Sequence, residues 1–441
     1  MVLSYLISKR RVFYLLAFFL PIALASQVKV GTKGFHFGID VVDEKKNAIS
    51  DNLVYSEAIG YGFDFGSNKN VQFHKNGFTI SDAPVYFSIQ IPEGNYKVDV
   101  GFESFSLESS IILKAESRRL LLDTIIQPRN GRITTTFLIN VRTPLIDEDQ
   151  QIILKQREFT HLNWDSKLTL EFLGSAIVHD IRITPISDVV TIFLAGDSTV
   201  TDQDIEPWAS WGQFITSYLN KNALVANYAY SGASLSSFKG SHRLEKIASL
   251  MKQGDFLMIQ FGHNDQKQKG DGDGPWLNYS DLLIDFITVA REKGAIPILL
   301  TPVQRRFFGE DGKIKPTHGD YPNAMRAAAK KLDVPLIDLT KITTSLYESW
   351  GDSISKKAFV QYAANTFRSQ TKALEDNTHF NSFGANEIAL CVVQEIKNQD
   401  LTLKSYLKKD IPDYNPKNPN SFDSWKLPFS NRFVPIKPEG N

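Results

Sequence analysis

Val189-Val190-Thr191-Ile192-Phe193-Leu194-Ala195-Gly196-Asp197-Ser198-Thr199 runs from an apolar stretch into a glycine, a carboxylate and two hydroxyls. An apolar run this continuous describes a strand buried on both faces, and the polar break marks its carboxyl end. Four later stretches obey the same rule: residues 224–227, 256–261, 296–300 and 334–338. Between them, residues 211–220, 282–293 and 321–332 have helical character. Strands alternating with helices predict a parallel sheet covered on both faces, here expected over 189–405.

Upstream, over 30–187, the rhythm is different. Residues 85–91 and 96–102 are rich in β-branched and aromatic side chains, and Pro92-Glu93-Gly94-Asn95 separates them, so the pair reads as a hairpin. Residues 134–141 and 168–172 look alike, and no amphipathic helix interrupts them. Short strands with regular turn signals predict an all-β sandwich. Downstream, residues 406–441 gather Pro, Asn and Ser and are expected to form an extended C-terminal tail. At the other end, Lys9-Arg10-Arg11, an apolar run and Ala23-Leu24-Ala25 describe a signal peptide over 1–25. That run falls short of the roughly 20 apolar residues a membrane span needs. The mature protein is therefore expected in a bacterial periplasm or medium, with no membrane association once the signal is cleaved.

Composition narrows the classes further. With 441 residues, 42% hydrophobic and 22% charged, the chain has material for packed cores and is not disordered. Lys plus Arg equals Asp plus Glu at 49 each, so no basic excess exists to hold nucleic acid. The single cysteine, Cys391, excludes an internal disulfide framework and a cysteine metal site.

In open α/β sheets ligands collect beyond the carboxyl ends of the strands. Those ends carry Gly196-Asp197-Ser198-Thr199, Tyr230-Ser231-Gly232-Ala233-Ser234 and Gly262-His263-Asn264-Asp265, and Asp376-Asn377-Thr378-His379 comes late in the chain. A serine hydroxyl is a weak nucleophile that needs a base within hydrogen-bond reach. His379 is the candidate base for Ser198, and Asp376 is placed to hold the other ring nitrogen. Plainer roles exist for each residue. Ser198 could cap a helix, Asp376 could be an N-cap, His379 a surface histidine and Asn264 a partner for buried backbone groups. Asp197, His263 and Asp265 are expected to fix the loops rather than take part in chemistry.

Together the four blocks resemble those of the SGNH hydrolase (GDSL esterase) superfamily, in its order. The likeness extends to Pro207, Trp211-Gly212-Gln213, Thr301-Pro302-Val303, Arg305-Arg306, His318-Gly319-Asp320-Tyr321-Pro322 and Ile337-Asp338-Leu339. That longer pattern is similar to rhamnogalacturonan acetylesterases, which remove acetyl groups from pectin backbones. Tyr61-Gly62-Phe63-Asp64 and Trp164-Asp165-Ser166-Lys167-Leu168 look like galactose-binding-like modules. The resemblance implies an N-terminal jelly-roll sandwich and a C-terminal α/β/α domain with a flavodoxin-like sheet. It assigns the oxyanion hole to the N–H groups of Ser198 and Gly232 and the amide of Asn264.

What the resemblance implies is a secreted carbohydrate O-acetylesterase working through an acyl-serine, without metal or organic cofactor. Its partner would be an acetylated plant polysaccharide or oligosaccharide. Relatives often carry Arg after the block glycine, where this chain has Ala233. Arg305 and Arg306 could instead pair with galacturonate carboxylates or be solvated surface charge. Trp208 and Phe308 could stack on sugar rings. Rival readings are an esterase on xylan, a sialylated glycan or a lipid, and a glycan-binding protein with an inactive esterase domain. A Ser198 oxygen sealed beneath packed side chains, or lying far from His379, would end the esterase reading.

Overall fold

The computed structural model describes residues 31–39, 47–80, 83–104, 109–126, 131–432, 434 and 436–439. The signal peptide expected over 1–25 lies outside the described residues. Upstream of Asp188 the described chain forms β1 (Lys33–Phe37), β2 (Asn47–Ile49), β3 (Tyr61–Asp64), β4 (Val71–His74), β5 (Gly77–Ile80) and β6 (Val85–Gln90). It continues with β7 (Gly94–Glu103), β8 (Ser109–Ala115), β9 (Arg119–Ile126), β10 (Arg132–Val141), β11 (Lys167–Gly174) and β12 (Ile177–Ile186). One sheet runs β10-β7-β12-β1-β2, with β5 on β12 and β4 on β5, and the other runs β3-β6-β11-β8-β9. Pairing is antiparallel apart from β1 with β2. Period-two alternation gives each sheet one apolar face. Phe37 and Phe78 of one sheet meet Phe87 and Phe63 of the other edge-on, with ring centroids 5.3 and 5.4 Å apart. The result is the expected sandwich.

The hairpin expected over 85–102 does not form. β6 lies between β3 and β11 in one sheet, whereas β7 lies between β10 and β12 in the other. Phe87 and Ile89 on β6, and Val98, Val100 and Phe102 on β7, are all fully buried. A crossing between sheets sets these two apolar faces against each other, which a flat hairpin could not do.

The second half contains β13 (Val190–Gly196), β14 (Ala223–Asn227), β15 (Phe256–Gln260), β16 (Ile296–Leu300) and β17 (Leu336–Ile337). These are all parallel, in the order β14-β13-β15-β16-β17, the doubly wound order of a flavodoxin-like sheet. The chain leaves β13 toward β14 on one side and returns to β15 on the other, so a crevice opens at the carboxyl ends of β13 and β15. The helices are α1 (Trp211–Phe214), α2 (Leu235–Gly240), α3 (Arg243–Leu250), α4 (Asn278–Glu292), α5 (Tyr321–Leu332), α6 (Leu339–Ser355) and α7 (Ser382–Asn398). A final antiparallel pair, β18 (Phe359–Tyr362) and β19 (Leu374–Phe380), flanks the crevice. The helix expected over 211–220 is four α-helical residues followed by a 3-10 turn, Ile215–Tyr218.

The two halves meet through buried charge. The turn between β8 and β9 holds Glu116 and Arg118 at positive φ, 54° and 63°, and drives Ser117 and Arg118 into the loop that follows Ser198. Arg118 pairs with Glu206 at 2.5 Å and donates to the Gln203 and Trp208 carbonyls at 3.1 and 2.7 Å. Ser117 Oγ donates to Asp204 at 2.7 Å, while Arg119 and Arg142 face Asp202 at 3.5 and 3.6 Å. Removing one partner of a buried pair strands the other charge, at about 3–5 kcal/mol. Arg118→Ala is therefore expected to lose that much stability in urea unfolding. Adding Glu206→Gln should return part of the loss, because the stranded group is then neutral.

Candidate active site

β13 ends in Gly196, and Ser198 stands two residues beyond it. Its loop is pinned from below: Asp197 Oδ1 accepts from the Thr199 N–H and hydroxyl at 2.9 and 2.8 Å. Gln260 Nε2 reaches Thr199 Oγ1 from β15 at 2.7 Å, and Gln203 Nε2 donates to the Ser198 carbonyl at 2.7 Å. On the far side, Asp376 and His379 belong to β19. Asp376 Oδ1 accepts from the Thr378 and His379 N–H groups at 2.9 and 3.0 Å, which curls the strand so that both side chains face Ser198. His379 Nε2 lies 2.8 Å from Ser198 Oγ, and His379 Nδ1 lies 2.7 Å from Asp376 Oδ2. Neither plainer role for these carboxylate and hydroxyl groups survives. The cap of α7 is Asn381, and the helix after Ser198 begins only at Trp211.

The expected oxyanion donors gather on the same side. Gly232 has φ +82°, a left-handed conformation that glycine adopts without strain. Asn264 Nδ2 donates to the Ala233 carbonyl at 2.9 Å, binding the two loops together and leaving its second N–H for another acceptor. Among the described residues, the backbone N–H groups of Ser198 and Gly232 donate to no protein acceptor. A hydroxyl, a base, a carboxylate and adjacent free donors make up the apparatus of acyl transfer.

Residues 194–385 match the GDSL-like lipase/acylhydrolase family. A rhamnogalacturonan acetylesterase of Bacillus subtilis, RhgT, is 46% identical over 220 residues, 49% of this chain and 94% of RhgT. The chain belongs to the GDSL-like lipase/acylhydrolase family. A second B. subtilis protein, the probable rhamnogalacturonan acetylesterase YesY, is 36% identical over 222 residues, 50% of this chain and 98% of YesY. The crystal structure of B. subtilis YxiM superposes with a TM-score of 0.45 at 22% identity, over 84% of this chain and 99% of that one.

Within this GDSL-like ester hydrolase, the expected sugar contacts are reassigned. Trp208 is buried, and its Nε1 points at Asp376 Oδ2 from 3.4 Å, so its ring offers no face to a sugar. Arg306 is buried too. It pairs with Asp352 at 2.5 Å and bonds Asn377 Oδ1 at 2.8 Å, bracing the chain between Asp376 and Thr378. Arg305 donates to the His263 carbonyl at 3.2 Å and to Thr317 Oγ1 at 3.1 Å, which commits its fork to the loop before Asn264. Phe308 packs half-buried against the core, and its neighbour Phe307 takes the exposed position. Ser198 is only 2% exposed, but the late-chain side chains beside its partners, Lys437 and Glu439, are 44% and 49% exposed and are not packed core. Lys437 Nζ lies 3.7 Å from Asp376 Oδ1, and Glu439 lies beside Gly232, so a late stretch of chain reaches both the acid side and the Gly232 side of the site.

Burial sets the electrostatics of this GDSL-like site. It works to raise the Asp376 carboxyl, but the charge and hydrogen bonds of His379 and the Thr378 N–H outweigh it and hold the group at about 2. His263 and His318, 3.1 Å apart, are both pushed down, His318 to about 3, by burial and by Arg305 and Lys267 in the case of His318. They are neutral spacers behind Asn264. Asp265 accepts from the Leu235 N–H at 2.8 Å and positions the start of α2 after Gly232. Burial pushes its carboxyl up to about 7. The folded chain thus keeps a proton that an unfolded aspartate releases near pH ~4. The Asp265 contribution to stability falls as pH rises from about 4 to about 7 and is level above that, while His263 and His318, held neutral, slope the other way below about pH 6.5. Asp265→Asn imitates the protonated carboxyl and should remove about 3 kcal/mol of this fall, read by urea unfolding at about pH 4.5 and 7.5.

Proposed function

We propose that the protein is a carbohydrate O-acetylesterase acting on acetylated rhamnogalacturonan. The observation that carries this is the alignment of Ser198, His379 and Asp376, at 2.8 and 2.7 Å, beside two unengaged backbone donors. The names of the B. subtilis relatives support the choice of substrate. In this reading His379 takes the Ser198 proton as the hydroxyl oxygen attacks the acetyl carbonyl, and Asp376 stabilises the imidazolium. The tetrahedral oxyanion receives the N–H groups of Ser198 and Gly232 and the free N–H of Asn264. His379 then protonates the departing sugar oxygen, leaving an acetyl-serine that water cleaves by the same route in reverse. The basic and apolar segment ending in Ala23-Leu24-Ala25 supports export from a bacterial cytoplasm.

Acetate release from acetylated rhamnogalacturonan, acetylated xylan and an acetylated sialoglycan tests the assignment, with the first expected to be fastest. Ser198→Ala should lower the rate by at least about 10³-fold with unchanged folding, measured by acetate assay and circular dichroism. Asn264→Ala should lower kcat about 10²–10³-fold while leaving KM within a factor of a few. Glycan binding by a wild-type chain that releases no acetate would replace the enzyme with a binding protein.

A further inference from the structure

Beside Gly232 the structure holds an arrangement that acyl transfer does not require. Lys155, on the connection between β10 and β11, donates from Nζ to the Ser231 carbonyl at 3.2 Å and lies 5.1 Å from the centre of the Tyr230 ring. The same ammonium bonds the Glu439 carboxylate. Both side chains press on Gly232: a Cβ there would sit 3.0 Å from Lys155 Nζ and 3.1 Å from Glu439 Cβ. A carboxylate is thus held beside Gly232, whose backbone N–H has no protein acceptor among the described residues. An anion so near a site of developing negative charge opposes the reaction unless a cation neutralises it.

The neighbourhood supplies more positive charge. Lys437 faces Asp376 at 3.7 Å, and Lys267 Nζ reaches Asn264 Oδ1 at 3.3 Å. Three lysines from three distant stretches of a chain with zero net charge therefore reach the segments that carry Gly232, Asp376 and Asn264. The Lys155–Glu439 pair is not a structural rivet, because its side chains are 34% and 49% exposed. Exposed pairs of this kind contribute little to folding and exchange readily. Lys155 and Glu439 also lie outside residues 194–385, the part matched by the family.

We propose that Lys155 anchors a subsite for a sugar carboxylate next to the acetylated hydroxyl, and that Glu439 is a built-in occupant which an anionic glycan displaces. The proposal rests on the esterase reading and sharpens its substrate class, since a uronate-bearing chain fills the subsite and a neutral xylan leaves it to Glu439.

The test follows hydrolysis of p-nitrophenyl acetate by the full chain and inhibition by digalacturonate, with neutral galactobiose as control. Wild type should be inhibited competitively by digalacturonate and much less by galactobiose. Lys155→Met should weaken the digalacturonate Ki about tenfold, with Lys155→Arg restoring most of it. Glu439→Gln should tighten it about threefold. Equal inhibition by the charged and neutral disaccharides, or one Ki shared by wild type, Lys155→Met and Glu439→Gln, overturns the subsite. Should Lys155→Met misfold, Glu439→Gln still decides, because an unchanged Ki removes the occupant. Failure of the esterase reading shows separately, as a wild-type rate equal to that of Ser198→Ala. Calorimetric titration of wild type and Lys155→Met with digalacturonate then reads the subsite directly.

Discussion

Three buried carboxylates in the loop after Ser198, Asp202, Asp204 and Glu206, are the constraint on which the architecture turns. Each is nearly sealed from water and stays tolerable only while guanidinium and hydroxyl groups face it. Most of those partners come from the sandwich half, through Ser117, Arg118, Arg119 and Arg142, joined by Asn227 of β14 on Asp202 and by Arg432 late in the chain, 2.6 Å from Asp204. The loop bearing Ser198 is therefore clamped by a module that supplies none of the side chains of Ser198, His379 and Asp376. Precise placement of such groups depends on surroundings that cannot shift, and here those surroundings span both halves.

The site itself combines opposite demands on charge. Asp376 is kept ionised by the His379 ring and by two backbone N–H groups, although burial alone would neutralise it. A few residues away, His263 and His318 are kept uncharged by the same kind of burial and by Arg305 near His318. One carboxylate faces one imidazole here, and with His263 and His318 neutral behind Asn264, His379 is the ring that meets Ser198.

Much of the catalytic half was legible because its strands are buried on both faces and end in short polar breaks. That pattern placed Ser198, Gly232 and Asn264 at strand ends, and the structure puts them there. α6 and α7 were not anticipated: Ser and Thr blur the apolar stripe of the first, and the second is buried on most of its surface. The turn at 92–95 suggests pairing of 85–91 with 96–102, but local turn chemistry is silent on which sheet a strand joins, and β6 and β7 lie in different sheets. The sequence leaves Trp208 and Arg306 open as sugar contacts, and Arg306 equally as surface charge, because their partners, Asp376 and the pair Asp352 and Asn377, are remote in sequence. Lys155 and Glu439, 284 positions apart, carry no local signal at all.

The turn that delivers Ser117 and Arg118 into the hydrolase half has a consequence for descent. A substitution that neutralises Glu206 leaves a guanidinium without its counter-charge in another layer of the molecule, and the reverse holds for Arg118. Neither half can drift alone; lineages that keep the sandwich must change both sides of this seam in step, so matched exchanges of acid and base across it should recur together.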